Sequence, residues 1–221
     1  MDVTRIELPL AWAMAGWIGA VPTLALALAR APWARFADSE QVHVWYGTLF
    51  ALIVLWCIQA TVGEGFTFHL LGVTALTLVA GPALALVGSA GAVAILMLVR
   101  GGAWESAALA WDTMAAVPVA VTWGMLRLAE QRLPPNFFVY VFVVAFFGAA
   151  LSLLAAGLAG ALVLTLGGAR PAAVVFGDYV PYLVYLALGE ATLNGMALTL
   201  LIVYRPHWVA TFDDARYIQG R

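Results

Sequence analysis

The sequence contains no lysine, one cysteine and few charges of either sign. All ten basic residues are arginine, and charged residues make up 10% of the 221. A soluble domain carries about 25%, so this chain has too little charge to cover a water-facing surface. No basic run is present, and no nucleic-acid partner is expected. The lone Cys57 lies in an apolar run. It excludes an intrachain disulfide and a Cys-x-x-Cys metal cluster, and it says nothing of the redox compartment. There is no Gly-x4-Gly-Lys-Ser/Thr phosphate loop, so the chain hydrolyses no nucleotide by itself. No catalytic residues are assigned, and an enzyme is not expected.

What the sequence has in quantity is apolar: 64% of residues are hydrophobic. Lipid must be the main solvent, and a backbone in lipid has to satisfy its own hydrogen bonds, in helices or a closed barrel. The apolar runs are long and unbroken rather than alternating segments of ~10 residues, which rejects the barrel. The expected fold is an all-α integral membrane protein, a bundle of six to seven transmembrane helices. The first residues lack the basic n-region of a signal peptide, and the apolar stretch behind them reads as the first membrane helix.

The expected spans are 8–29, 43–61, a stretch at 69–99, then 103–127, 137–166 and 180–204. The third stretch has 31 residues, whereas one crossing needs about 20. It contains Gly81-Pro82 and is either one overlong tilted helix or two helices folded back at that break. With seven spans and the N-terminus outside, Arg30, Arg35, Arg127, Arg132, Arg205, Arg216 and Arg221 lie inside and three arginines lie outside. Six spans give four inside in that orientation and six when flipped, so seven spans fit the positive-inside rule better. The C-terminus is then inside. Residues 1–204 form one transmembrane domain and 205–221 a short cytoplasmic tail. Trp33, Trp45 and Trp208 fall at the inner interface, as an aromatic belt would. A multi-pass protein of the cell inner (plasma) membrane is expected, with membrane lipid around it.

Ionisable residues within spans cost roughly 2.5–3.5 kcal/mol each on insertion scales, so each is a candidate site. Asp112 and Glu190 lie within spans, and Glu64, His69, Glu105 and Asp178 near span ends. Asn194 is one turn beyond Glu190 on the same face. In the seven-span arrangement these groups gather in the outer half and suggest a polar cavity open to the exterior. Plainer readings stand beside this one. Glu105 and Asp178 suit solvated span ends, Asp112 and Glu190 suit hydrogen bonding between helices, and His69 suits a helix terminus. His43 and His207, at the inner interface, suit no ligand. In the first span, Ala11, Ala15 and Gly19 repeat at i+4, a small-residue stripe that lets a second helix approach. That helix is either internal or from another subunit.

Two segments resemble a known family. Gly63-Glu-Gly-Phe-Thr-Phe-His69-Leu-Leu-Gly72, followed by Gly81-Pro82, resembles the GGTSxHLLG…GP segment of the CbiM/NikM family. Those proteins are the nickel- and cobalt-capturing membrane components of energy-coupling factor (ECF) transporters. Leu188-Gly-Glu190-Ala-Thr-Leu-Asn-Gly195, followed by Arg205-Pro206, resembles the family's IGEALITG…RP segment. Trp111-Asp112-Thr113-Met114 falls where the family has NxxNMG. The resemblance implies six or seven helices with the N-terminus outside. It also implies no permanently bound cofactor, with a transition metal, nickel or cobalt, as substrate.

In the family the metal is held by the N-terminal amine, a histidine at position two and the histidine of the HLLG segment; nitrogen donors suit such metals. The carry-over reaches His69 as metal ligand. It does not reach position two, which is Asp2, and the family's MHIPDG start is absent. A substrate-binding set drawn from Glu64, Asp112, Glu190 and Asn194 is the expected replacement. The implied partners are an ECF transmembrane coupling subunit and ABC ATPases, with Ala11, Ala15 and Gly19 as docking face. A standalone metal- or cofactor-handling membrane protein without ATPase partners is the alternative. A haem- or quinone-binding subunit using His43 and His69 is the third reading, although these histidines fall near opposite membrane faces.

Overall fold

The computed structural model describes residues 9–62 and 66–217. Helix α1, Leu10–Arg30, starts directly after Pro9. Helix α2, Ser39–Cys57, begins four residues before the expected span. The cause is Asp38, whose side chain accepts from the Glu40 N–H at 2.9 Å and caps the helix. It also ends four residues early. The chain turns instead into strand β1, Ala60–Val62, paired antiparallel with β2, Phe66–Phe68.

The 69–99 stretch is broken, not continuous. Helix α3, Val73–Ala80, ends at Gly81, whose φ of 85° is left-handed backbone that glycine adopts without strain. Pro82 then opens α4, Pro82–Arg100. Helix α3 has eight residues and so is about 12 Å long. It is too short to cross a ~30 Å hydrocarbon layer by itself. Three long helices follow: α5, Trp104–Arg132, α6, Val139–Leu166, and α7, Ala172–Tyr204. Each contains a stretch of wider π-turns, at Asp112–Ala116, Val139–Phe147 and Val175–Tyr179 respectively. Among the described residues, α1, α4, α5, α6 and α7 are long and apolar enough to cross a membrane.

Side-chain pairings set the helix directions. Trp45 donates to the Leu84 carbonyl, a Cβ at Gly88 would meet Leu49, and Arg100 donates to the Trp56 carbonyl. Helices α2 and α4 therefore run parallel, and the hairpin with α3 makes the return between them. Gly16 lies on Leu109 and Gly19 beside Asp112, so α1 and α5 are also parallel. We call the end where α1 begins the upper end, and the other the lower end.

The inner face of α1 is Ala13, Gly16 and Ala20. Ala11, Ala15 and Gly19 are exposed, although Gly19 comes beside the Asp112 side chain of α5, so the close backbone approach is not through this stripe. Both stripes are small, and close approach to α5 selects Gly16.

Helix α3 is buried along its whole length and both its ends are satisfied by other elements. At the lower end, Arg35 donates to the Ala80 carbonyl at 3.1 Å. The Ala210 N–H donates to Val79, and the Thr211 N–H and hydroxyl to Leu78. The segment after α7 is thereby packed onto the bundle, with Val209, Phe212 and Tyr217 buried beside Tyr140. Halfway along the bundle, Thr74, Thr122 and Ser152 form a buried hydroxyl chain across α3, α5 and α6, with 2.9 Å at each link. Hydrogen bonds between membrane helices are worth about 0.6–1.7 kcal/mol. We expect Thr122→Val, which removes the central hydroxyl, to destabilise by about that amount, measured by reversible unfolding in mixed micelles.

Candidate functional site

The site is built where the hairpin hands the chain to α3. The hairpin is fastened by aromatic contacts to the start of α7. Phe68 stacks on Tyr179, with centroids 5.3 Å apart and planes 12° apart, and Phe66 lies 5.4 Å from the same ring. The Tyr179 hydroxyl donates to the Gly157 carbonyl. From there the chain passes through His69, Leu70, Leu71 and Gly72 into the bundle. Gly72 has φ 66°, and a Cβ there would come within 3.0 Å of Leu55, so both backbone and space require glycine.

This segment is held on two sides. The Trp56 indole, fully buried, donates to the Leu71 carbonyl at 2.8 Å. The Glu190 carboxylate accepts from the Leu71 N–H at 2.7 Å and the Gly72 N–H at 2.6 Å. Asn194 donates to Glu190 and accepts from the Ala75 N–H at 2.8 Å. The i+4 spacing on α7 thus aligns two polar side chains with the free N–H groups at the start of α3, which no side chain of its own caps. Burying a carboxylate is costly unless it is hydrogen-bonded; here every group that meets it is a donor, at the positive end of a helix dipole.

His69 is buried, 5% exposed, with its ring 6.2 Å from Trp56. Its Nδ1 lies 3.0 Å from the Leu70 carbonyl. A carbonyl only accepts, so in this contact Nδ1 carries the proton. His69 borders a cavity of about 10 Å³, walled also by Phe68, Thr113, Met114, Gly157 and Leu183. That is room for about one water.

The expected outer, acid-lined cavity is not what the described residues form. The wall around His69 is apolar apart from Thr113 and His69 itself, and no carboxylate borders it. Glu190 and Asn194 are brought together, but against backbone. Asp112 opens the π-turn of α5 and lies beside Gly19 of α1, away from that wall. Glu105 and Asp178 are exposed. Glu64 lies outside the described residues, as does Asp2. Among the described residues, no group of three His, Cys, Asp or Glu side chains could hold a metal. His43 sits one turn into α2, bonded to the Ser39 carbonyl, and His207 pairs with Glu40 beyond the end of α7. Neither joins His69. Trp56 was not singled out by its sequence; its signal is an indole N–H in an apolar run, which must find an acceptor.

The fold and site together define a polytopic helical membrane protein with a half-length helix at its centre and a buried histidine just above that helix. The chain belongs to the CbiM family, described as cobalt uptake substrate-specific transmembrane region, whose model matches residues 6–208. Two crystal structures share the fold. One, of a truncated transition metal transporter, matches with TM-score 0.80 and 20% identity, over 92% of this chain and 99% of that one. The other, of a transition metal transporter, matches with TM-score 0.76 and 20% identity, over 91% and 92%. No curated protein matches the sequence.

Proposed function

We propose that this chain is the substrate-capture membrane component of a transition-metal uptake system, taking a nickel- or cobalt-like cation from the exterior. A separate transmembrane coupling subunit and ABC ATPases supply the energy, and the exposed Ala11, Ala15 and Gly19 face of α1 receives the coupling subunit. The upper end faces outward, in the plasma membrane. Family membership and shared fold support this reading. The observation that carries it is the buried His69 imidazole, oriented by the contact of its Nδ1 with the Leu70 carbonyl. Imidazole nitrogen suits Ni²⁺ and Co²⁺. One imidazole does not complete a site, and the described residues add no second and third ligand of the His, Cys, Asp or Glu type.

The test is nickel and cobalt titration of detergent-purified protein, wild type against His69→Ala, with metal content read by elemental mass spectrometry. We expect stoichiometric metal that is lost in the variant. Binding unchanged by His69→Ala removes His69 from the site, and no binding by the wild type overturns the metal reading. Asp2, where the family has histidine, favours a second reading: a standalone protein without ATPase partners. Co-purification of the coupling subunit and ATPases with tagged protein from its native membrane rules that out.

A further inference from the structure

We propose that Glu190 is a positioning residue for His69, acting through the single peptide group that joins Leu70 to Leu71. The carbonyl of that group accepts from His69 Nδ1 at 3.0 Å. Its N–H donates to Glu190 Oε2 at 2.7 Å. Imidazole, peptide and carboxylate therefore form one hydrogen-bonded line across one rigid plane. This deepens the proposed function and rests on His69 being the ligand.

Two simpler roles fit less well. If Glu190 served only as glue between helices, donor side chains or scattered N–H groups of its neighbours would meet it equally well. Apart from Asn194 on its own helix, it meets one two-residue stretch of backbone, which starts two residues after His69. If it bound the cation directly, an oxygen would be open to the His69 cavity. Instead the residue is 1% exposed, both oxygens receive N–H donors, and it does not border that cavity.

The line has chemical consequences. Metal-binding histidines commonly donate their second ring N–H to a carboxylate or a carbonyl, which sets tautomer and ring orientation and raises ligand basicity. Here the carbonyl is the immediate acceptor and the carboxylate stands one peptide behind it. Chains of hydrogen bonds polarise one another. Glu190 draws on the N–H, makes the Leu70 carbonyl a stronger acceptor, and thereby holds the proton on His69 Nδ1. Trp56, donating to the Leu71 carbonyl, fixes the next peptide plane. Gln at 190 breaks the line, because its amide brings one acceptor and an NH₂ to a place where three donors converge.

The chain has three histidines, so a sample with labelled histidine reports each ring separately by NMR. In Glu190→Gln we expect the His69 ring nitrogen signals to shift and broaden while those of His43 and His207 stay in place. Nickel affinity should fall on the order of 10–100-fold. A role in stability alone would leave the proton on His69 Nδ1, so the deciding readout is the tautomer given by the two ring-nitrogen shifts. His69 signals unchanged in the variant overturn the proposal. Where the wild type binds no nickel, the metal reading fails and the NMR comparison still decides this one. Where Glu190→Gln does not fold, the wild type decides: a through-hydrogen-bond coupling between His69 Nδ1 and the Leu70 carbonyl carbon is expected, and its absence overturns the proposal.

Discussion

Gly16→Val drives α1 off α5 and lowers the thermal midpoint further than any other glycine substitution on α1. A Cβ at Gly16 would lie 2.7 Å from Leu109 Cγ and 2.9 Å from the Leu109 backbone N. A side-chain atom can swing aside, but a helix backbone atom cannot, so the helices must separate. Overpacking of this kind costs typically about 1–3 kcal/mol, and valine adds two further methyl groups at the point of contact. We expect the upper end of that range, with Gly16→Ala between valine and wild type. The opposite sign is expected at Gly124. It is helical and exposed, with nothing within 4 Å of a Cβ, so Gly124→Ala gains about 0.5–1 kcal/mol of helix propensity. Thermal unfolding in detergent, followed by circular dichroism, reads both. Equal midpoints for Gly16→Val and wild type would mean that α1 does not pack on α5 through Gly16.

The second large effect is at Trp56. Trp56→Ala removes a fully buried indole and costs about 3–5 kcal/mol, as for other large-to-small core changes. Trp56→Phe separates packing from hydrogen bonding. It keeps most of the ring volume but leaves the Leu71 carbonyl without its indole donor, at a cost of about 1–3 kcal/mol for a buried acceptor. The same unfolding measurement checks both. If phenylalanine cost nothing, the indole N–H would contribute nothing to holding the His69 segment. The Arg100 bond to the Trp56 backbone carbonyl survives either change.

The helical crossings were legible because a long apolar run has few alternatives in lipid. The spans 8–29 and 137–166 match their helices within two residues at both ends, 103–127 matches at its upper end, and 180–204 at its lower end. The segment between α2 and α4 was legible only in part. Gly81-Pro82 announced a break, since proline lacks an N–H and glycine admits a positive φ. That the first half would be an eight-residue helix preceded by a strand pair was not announced. Val62 and Phe66 to Phe68 are as apolar as the helices around them, and hydropathy does not separate a short strand from a helix end. The start of α2 depended on Asp38 acting as cap rather than as loop.

Residue choice followed the same division. Glu190 and Asn194 stood out because polar groups at i+4 in an apolar helix share a face. Their partners lie about 119 positions earlier in the chain, and no local rule reaches that far. The small-residue stripe shows the limit from the other side. Ala11, Ala15 and Gly19 and the set Ala13, Gly16 and Ala20 are both small, so composition does not tell which face turns inward. The position of α5 does.

By itself, then, the sequence determined a membrane-embedded helical bundle, the approximate crossings, the Gly81 break and the candidacy of His69, Glu190 and Asn194. Each follows from local chemistry in lipid, where backbone bonds close within a segment and buried charge is rare enough to notice. Only the tertiary structure decided which groups met. It set the two carboxylate oxygens of Glu190 on the backbone after His69, placed Asp112 toward α1, and capped both ends of α3 with distant residues. A half-length helix buried in a bundle cannot satisfy its own terminal N–H and C=O groups, so its neighbours must supply the partners, and their identity depends on packing across the whole chain.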